Sequence, residues 1–320
     1  MITLRPLNLD LDAEAVARLV SLTRLEPATA SQVRDWWRAR PDSIRSLQVA
    51  TGPDGQALAF LEVAHDGWLE PKHYYLNVIV DDSWRGQGIG RRLYMEGVAF
   101  ALAHGATHLE AEVRDNDSGA LRFAEARGFR RVAHTFESVL DLDSFDETPF
   151  LGRLTRAQAA GVRFFSLADS GTPGEDDLRR LYELNRAAAL DNPGNPGVFE
   201  PFESFRHTVC EASWFRPDGQ WLAADGERWV GLAAVVLYPE SHSAYNGFTG
   251  VDAAYRGRGL ATALKLLAIR WAREQGARSM RTNNDSRNAA MLAINRKLGY
   301  RSRPGSYRLV RNLAATAPEL

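Results

Sequence analysis

The chain has 320 residues, 45% hydrophobic and 25% charged, which predicts two globular domains of about 100–200 residues each. Its 39 basic and 40 acidic residues leave a net charge of −1, which argues against binding of nucleic acid through a broad basic surface. The single cysteine, Cys210, excludes an intrachain disulfide framework and a cysteine-rich zinc site, and we expect no metal cofactor.

The first half of the chain alternates patterns typical of strands and helices. In chain order they predict strand 2–7, helices 12–25 and 31–40, strands 46–52, 57–64 and 74–80, helix 88–104, strand 108–113, helix 118–127 and strand 129–140. The second half follows the same order. It predicts strand 161–167, helices 175–189 and 201–210, strands 221–224, 229–238 and 244–251, helix 259–275, strand 279–283 and helix 288–298. This order is typical of an α/β fold with a mixed sheet covered by helices.

The two halves are related by an internal repeat. The segments VDDSWRGQGIG and VDAAYRGRGLA begin at Val80 and Val251, and the same separation of 171 residues links Gly105 to Gly276 and Gly128 to Gly299. A register kept over so many positions indicates two homologous domains in tandem. We predict domains at residues 1–145 and 146–320, with the acidic segment 144–150 at the boundary.

Each repeat carries a glycine-rich turn between a strand and a helix. The first helical turn has unpaired N–H groups and the positive end of the helix dipole, and glycines let a bulky anion approach the backbone. The pattern therefore predicts a pyrophosphate cradle in each half. Neither copy has the Gly-Lys-Ser/Thr of a P-loop, and Arg91 and Thr262 stand where a dinucleotide fingerprint needs its third glycine.

With these turns, both halves resemble the GCN5-related N-acetyltransferase (GNAT) family. Each half also has a second motif of that family, EVRDNDSGALRFAEARGF or TNNDSRNAAMLAINRKLGY, which ends in glycine and an aromatic residue. The resemblance implies two tandem GNAT domains that bind acetyl-CoA and transfer its acyl group directly to an amine. The residues it implies in cofactor binding are Val78, Val80, Arg85, Gly86, Gln87, Gly88, Ile89, Gly90 and Asn116 in the first half, and Thr249, Val251, Arg256, Gly257, Arg258, Gly259, Leu260, Ala261, Asn283 and Asn288 in the second.

The motifs leave more than one candidate for the acid and the base of the reaction. Many family members have a tyrosine four residues before the Gly-aromatic pair, where this chain has Ala124 and Asn295. We take Tyr245 as the candidate acid and Glu240 as the candidate base, with other residues left open. Those open candidates are Tyr300 as acid, and Glu62, Asp81, Asp252, His73 and His242 as bases.

The acceptor side distinguishes the two halves. A long loop at residues 190–205 lies between the first two helices of the second half, whereas the first half has only a short link at 26–31. A long loop with several carboxylates can cover and bind a cationic amine, which favours the second half for catalysis. The alternative is a CoA-binding regulator or scaffold in which one or both domains are inactive.

The remaining expectations concern partners and location. We expect a small-molecule primary amine as acceptor, no nucleic acid, and a monomer whose tandem domains form an internal pseudo-dimer. No run approaches about 18 consecutive apolar residues, and the first residues, MITLRPLNLDLD, lack the pattern of a secretory signal. We therefore expect no membrane association and a cytoplasmic location.

Overall fold

The computed structural model describes residues 2–24, 27–38, 43–66, 69–169, 171–195 and 197–314. The predicted ends of the first two helices, at residues 25 and 39–40, and part of the link at 26–31 lie outside these residues. In the first half the elements are β1 (Thr3–Pro6), α1 (Leu9–Ser21), α2 (Ala30–Arg38), β2 (Ile44–Thr51), β3 (Ala57–His65), β4 (His73–Val80), α3 (Ile89–Ala103), β5 (His108–Arg114), α4 (Ser118–Glu125) and β6 (Arg130–Asp141).

The second half repeats this order with additions. Its elements are α5 (Leu151–Ala159), β7 (Val162–Ser166), α6 (Glu175–Leu190), α7 (Phe202–Phe205), β8 (Gln220–Asp225), β9 (Arg228–Tyr238), β10 (Ser243–Val251), α8 (Leu260–Glu274), β11 (Ser279–Asp285), α9 (Ala289–Lys297), β12 (Arg301–Ser302) and β13 (Ser306–Asn312). The predicted helix at 201–210 is the short α7 continued by a wide turn at Arg206–Cys210. Helix α5 and strand β13 were not predicted.

The chain forms two compact units that do not divide it at its middle. One unit contains Met1–His134 and Gly305–Leu320, and the other contains Thr135–Pro304. We call them the N-terminal and the C-terminal unit. The sheet of the N-terminal unit runs β1-β2-β3-β4-β5-β13, and that of the C-terminal unit runs β6-β11-β10-β9-β8-β7. The predicted boundary at residue 145 marks where the sequence repeat changes over. The compact units group residues by their contacts instead, so the boundary stays a prediction.

Helices cover both faces of the sheet in each unit. In the N-terminal unit β3 is buried along almost its whole length: Phe60 packs with α1 and α2, while Leu61 packs with α3. In the C-terminal unit Leu232 packs with α6, and Ala233 packs with α8. The predicted α/β fold with a mixed sheet is therefore confirmed, and the central strand of each unit lies between two helical layers.

Candidate functional site

The glycine-rich turn of the N-terminal unit connects β4 to α3. Asp81 follows the strand and accepts a hydrogen bond from the Ser83 backbone N–H at 3.1 Å, which starts a tight turn. Gly86 and Gly88 have φ values of 79° and 80°, a region that side chains disfavour. Because Gly88 directly precedes α3, the free N–H groups of the first helical turn are open to an anion.

The C-terminal unit forms the same turn between β10 and α8. Asp252 accepts from the Ala254 N–H at 2.9 Å, and Gly257 and Gly259 have φ values of 77° and 85°. The arginine of each motif holds the turn to the preceding strand: Arg85 donates to the Val80 carbonyl at 3.2 Å, and Arg256 donates to the Val251 carbonyl at 3.1 Å. Both predicted cradles are therefore built as turns, and their binding of a cofactor stays a prediction.

Beside each turn the central strand separates from its parallel neighbour. Strand β4 pairs with β5 only from His73 to Tyr75, and β10 pairs with β11 only from Ser243 to Tyr245. Beyond these positions the strand edges, which include the predicted residues Val78, Val80, Thr249 and Val251, are free of that partner. An extended ligand arm can add to such an edge as a further strand does.

A β-bulge in β10 changes the correspondence between the two units. The register of β10 against β9 shifts between Asn246 and Phe248, so that Gly247 is an extra residue. The constant separation of 171 residues matches Tyr245 with Tyr74, but the bulge makes Tyr75 its structural equivalent. Tyr75 and Tyr245 both occupy the last paired position before the strands separate. Sequence reasoning missed Tyr75 because a bulge leaves no residue-type signal.

The N-terminal unit has two adjoining cavities of about 600 Å³ each. We call the first the cofactor cavity, because the glycine turn that is the predicted cradle lines it, together with Val78, Val80 and Phe123 of α4. We call the second the acceptor cavity, as a label for the space beside it. It is lined by the end of α1, by Tyr75 and Asn77 on β4, and by Asn116 after β5. Residues that line both cavities connect them: Thr23, Val78, Arg85, Asp117 and Ala120.

In the C-terminal unit a much smaller cavity, of about 90 Å³, lies between the separated strands. We call it the amide cleft. The predicted residues Asn283 and Asn288 line it, and Asn288 also caps α9 by accepting from the Met291 N–H at 3.1 Å. Larger side chains stand here than at the matching positions of the first repeat: Phe248 replaces Asn77, and Met291 replaces Ala120.

The loop at 190–205 also reaches the C-terminal unit's site. Asn192 lines the amide cleft, and Asp191 forms an ion pair of 2.5 Å with Arg256 of the glycine turn. A Cβ atom on Gly194 would lie 2.6 Å from a carboxylate oxygen of Asp285, so this part of the loop packs closely on the cleft wall. Pro196, within the loop, lies outside the described residues. The predicted loop thus lies beside the site.

Arginines surround the cofactor cavity of the N-terminal unit. Arg91, Arg122 and Arg127 line it, whereas the matching residues of the second repeat are Thr262, Ala293 and Leu298. Burial and the nearby Arg91 guanidinium lower the pKa of Arg127. A bound phosphate would offset this repulsion, so the cavity is suited to a polyanionic ligand.

Arg127→Leu should therefore weaken acetyl-CoA binding by about 10-fold, since a hydrogen bond to a charged group contributes about 1.5–3 kcal/mol. The guanidinium makes a cation–π contact with the Phe123 ring at 3.4 Å. Leucine, the residue of the second repeat at this position, removes the charge and can still pack on that ring. Titration calorimetry at two salt concentrations would measure the change, and the salt dependence should become shallower. The control is Arg296→Leu on the surface of α9, and an equal loss there would contradict the assignment.

The candidate bases lie in different surroundings. Glu62 is 8% exposed on β3, is directly opposite Asn77 of the acceptor cavity, and accepts a hydrogen bond from Trp37 Nε1 at 3.1 Å. Glu240 is exposed in the turn before β10, at the end of that strand opposite to the glycine turn. Its role as a base stays a prediction, and the structure does not bring it to the glycine turn.

Three of the other candidate bases have structural partners, and the fourth, His242, lies in an exposed turn. Asp81 and Asp252 cap the turns after their strands, His73 contacts Glu110 at 2.7 Å, and His242 lies beside Glu240 in the exposed turn before β10. Tyr245 is half-buried at the head of the strand separation. Burial raises the pKa of its hydroxyl, and a hydrogen bond from the Asn283 N–H partly offsets this. A raised pKa keeps the proton on the hydroxyl, as an acid requires.

Two features are absent from the described residues, a metal-ligand cluster and a membrane-spanning helix. No group of three or more His, Cys, Asp or Glu side chains there is placed to hold a metal ion. None of the helices in the same residues combines the length and the apolar character needed to cross a membrane.

Each unit therefore has a strand, a glycine turn and a helix beside a pair of separated strands, an arrangement that can hold a phosphate-bearing ligand with an extended arm. The model of the acetyltransferase (GNAT) family matches residues 14–129 and 178–300. The chain belongs to this family, which uses acetyl-CoA, and it is an acetyl-CoA-dependent N-acetyltransferase. The predictions of a tandem GNAT protein and of its enzyme class are confirmed, and the tandem layout is similar to that of mycothiol synthase.

Curated relatives are called mycothiol acetyltransferase. The protein from Saccharomonospora viridis is 33% identical over 68% of this chain and 73% of its own length. The Thermobifida fusca protein is 27% identical over 90% of this chain and 88% of its own length. The Renibacterium salmoninarum protein is 26% identical over 74% of this chain, and the match covers 66% of its own length.

Solved structures agree on the fold. A GNAT protein from Sphaerobacter thermophilus superposes with a TM-score of 0.69 and 21% identity, covering 97% of this chain and 95% of its own. A tandem GNAT protein from the clavulanic acid biosynthesis pathway superposes with a TM-score of 0.64 and 20% identity over the whole of both chains. At this identity the likeness shows the fold alone.

Proposed function

We propose that the N-terminal unit carries out the acetyl transfer and that its acceptor is the primary amine of a small polar molecule. The observation that carries this proposal is the pair of connected cavities of about 600 Å³ each. One adjoins the glycine turn and its arginines, and the other opens on the polar residues of β4 and β5. This reverses the preference for the second half that the long loop suggested.

In this proposal the chain positions both substrates. The N–H groups after Gly88 and the surrounding arginines bind the phosphates of acetyl-CoA, and the free edge of β4 at Val78 and Val80 binds its pantetheine arm. The amine nitrogen attacks the thioester carbon, the C–S bond breaks, and the thiolate leaves. In this proposal Tyr75 donates a proton to the sulfur, and Glu62 takes the amine proton through a water molecule.

The acceptor cavity supports a polar amine as the substrate class. Its wall combines carboxylates and guanidinium groups with hydroxyl and amide groups, including Glu112, Arg114 and Asn116. Such a wall binds a molecule with several hydrogen-bonding groups in one orientation better than it binds an alkyl amine. Because the curated relatives are called mycothiol acetyltransferases, the amine acceptor of those enzymes heads the panel of substrates to be tested.

Calorimetric titration with acetyl-CoA tests the assignment with a matched pair of variants. Ala120→Met introduces the residue of the second repeat where the two cavities meet, and it should weaken binding and lower kcat/KM by about 10-fold or more through overpacking. Met291→Ala enlarges the amide cleft and should leave turnover unchanged.

A loss of turnover in Met291→Ala, with Ala120→Met fully active, would place the chemistry in the C-terminal unit. Binding without release of thiol across the whole amine panel would favour the scaffold alternative instead. The stoichiometry reports how many glycine turns hold the cofactor, and sedimentation of the same sample tests the predicted monomer.

A further inference from the structure

The chain uses arginine almost exclusively for its positive charge. Its lysines are Lys72, Lys265 and Lys297, and all its other basic residues are arginines. Lys72 and Lys297 are exposed, but Lys265 is 2% exposed and ranks among the largest fully buried side chains. It lies on α8, six residues after Gly259 of the glycine turn, where the first repeat has Tyr94.

Lys265 forms part of the wall of the amide cleft. The same cavity is lined by Gly247 at the bulge, by Thr249 on the free edge of β10, and by Thr282 on β11. The ammonium nitrogen donates a hydrogen bond to Asn246 Oδ1, which also accepts from Thr249 Oγ1 at 3.0 Å. The amine therefore lies beside the strand edge along which an acyl donor is expected to extend.

The surroundings of Lys265 are polar but do not neutralise a charge. No salt bridge joins it to a carboxylate in the part of the chain that the structure describes. Asp285, a carboxylate on the cleft wall, pairs with Arg287 at 2.6 Å. The Tyr300 ring centroid lies 5.2 Å from the Lys265 amine nitrogen. The buried Tyr300 hydroxyl has no hydrogen-bond partner among the described residues.

Burial favours the neutral form of this amine. Desolvation lowers the pKa of Lys265 to about 7, so that a large fraction is the neutral, nucleophilic form near neutral pH. An exposed lysine is almost entirely protonated there. The cleft of about 90 Å³ also has room for the added group, since a water molecule takes about 30 Å³ and an acetyl group adds three heavy atoms.

We propose that Lys265 is a self-acetylation site, modified by acetyl-CoA bound at the glycine turn of the C-terminal unit. The neutral amine attacks the thioester carbon, an amide bond forms, the C–S bond breaks, and the proton released by the amine leaves with the thiol. The product is an uncharged amide whose N–H can still donate to Asn246. The inference requires the C-terminal glycine turn to bind acetyl-CoA, and it does not rest on the assignment of small-molecule turnover to the N-terminal unit.

Acetylation of Lys265 would leave the N-terminal unit as the one that turns over small amines. It fills the amide cleft and removes the buried charge, so the C-terminal unit becomes a fixed support after one turnover. The exposed residues Lys72 and Lys297 serve as internal controls for chemical acetylation, because they meet the same acetyl-CoA without a site around them.

The test is incubation of the full chain with deuterated acetyl-CoA, followed by trypsin digestion and mass spectrometry. Acetylation blocks cleavage at Lys265 and yields the joined peptide GLATALKLLAIR, residues 259–270. We expect the label at Lys265 at least about 10-fold faster than at Lys72 or Lys297, given the larger neutral fraction. An excess of coenzyme A should suppress it, and acetyl phosphate should not reproduce the preference.

Matched variants identify the donor site. Gly259→Val strains the turn of the C-terminal unit and should abolish the label, whereas Gly88→Val strains the other turn and should not. If either variant fails to fold, competition by coenzyme A still shows that the label requires a bound acetyl-CoA. Absence of label at Lys265, or equal labelling of all three lysines, overturns the inference. Turnover of a small amine, measured in the same samples, separates this result from the proposed function.

Discussion

Glu62→Gln should lower kcat by about 100-fold or more, because loss of a general base removes about 10²–10⁴-fold of rate. Glu62 is the carboxylate buried directly opposite Asn77 of the acceptor cavity. The side chain does not line the cofactor cavity, so KM for acetyl-CoA should stay unchanged. Glutamine has the same size, and its amide oxygen can still accept the hydrogen bond from Trp37 Nε1, so the fold should be kept.

The measurement is a set of kcat and KM values for both substrates, with the thiol product as readout. A fall in kcat with an unchanged KM for acetyl-CoA is the pattern expected for a lost proton-transfer group, which a distorted fold would not produce. Glu240→Gln is the control, since this residue is exposed in the turn before β10 and should have no effect. Loss of activity in Glu240→Gln with normal activity in Glu62→Gln would refute the assignment of the base and return the chemistry to the C-terminal unit.

The parts of the site that depend on local sequence could be predicted. The glycine turns follow from residues that adopt positive φ before a helix, and the structure has Gly88 and Gly259 in that conformation. Helices α4 and α9 begin where side chains of Asp117 and Asn288 cap them. The alternation of strands and helices indicated the fold class for the same reason, since periodicity is a local property.

The parts of the fold that depend on pairing between distant strands could not be predicted from the sequence. Strand β13 completes the sheet of the N-terminal unit by pairing with β5, and residues 135–141 of β6 pair with β11 in the C-terminal unit. No local pattern specifies which strand a segment will join, so the linear division at residue 145 and the compact units differ. The bulge at Gly247 could not be predicted either. It makes Tyr75, and not Tyr74, the structural equivalent of Tyr245, and this is visible only in the strand register.

The difference between the two sites also needed the structure. Both glycine turns are intact in the sequence, and the long loop drew attention to the second half. The contrast comes from side chains whose significance is visible only in three dimensions, such as Met291 in place of Ala120 and Leu298 in place of Arg127. The volume and the charge of a cavity depend on residues that are far apart in the sequence, and the sequence alone does not show which of them line the same cavity.

Lys265→Met should raise the free energy of unfolding at pH 7 by a few kcal/mol. The wild-type chain buries an amine whose pKa falls from 10.5 to about 7, and each pKa unit corresponds to about 1.4 kcal/mol. Methionine has a similar length and no charge to desolvate, and Asn246 Oδ1 keeps its hydrogen bond from Thr249. Urea unfolding of protein whose intact mass shows no acetyl group would measure the gain.

The pH dependence gives the sharper test, because its sign is fixed. Between pH 7 and pH 10 the unfolded chain keeps the lysine proton that the folded chain has lost, so wild-type stability rises with pH relative to the variant, by at most about 1.4 kcal/mol per pH unit. The advantage of Lys265→Met should therefore be largest below pH 7 and shrink towards pH 10. Taking the difference cancels the titration of groups that do not contact Lys265, because their surroundings are the same in both proteins. Lys297→Met on the exposed surface should show no such trend. A constant difference across the range would mean that Lys265 stays protonated in the folded protein, and its nucleophilic role would fail with it.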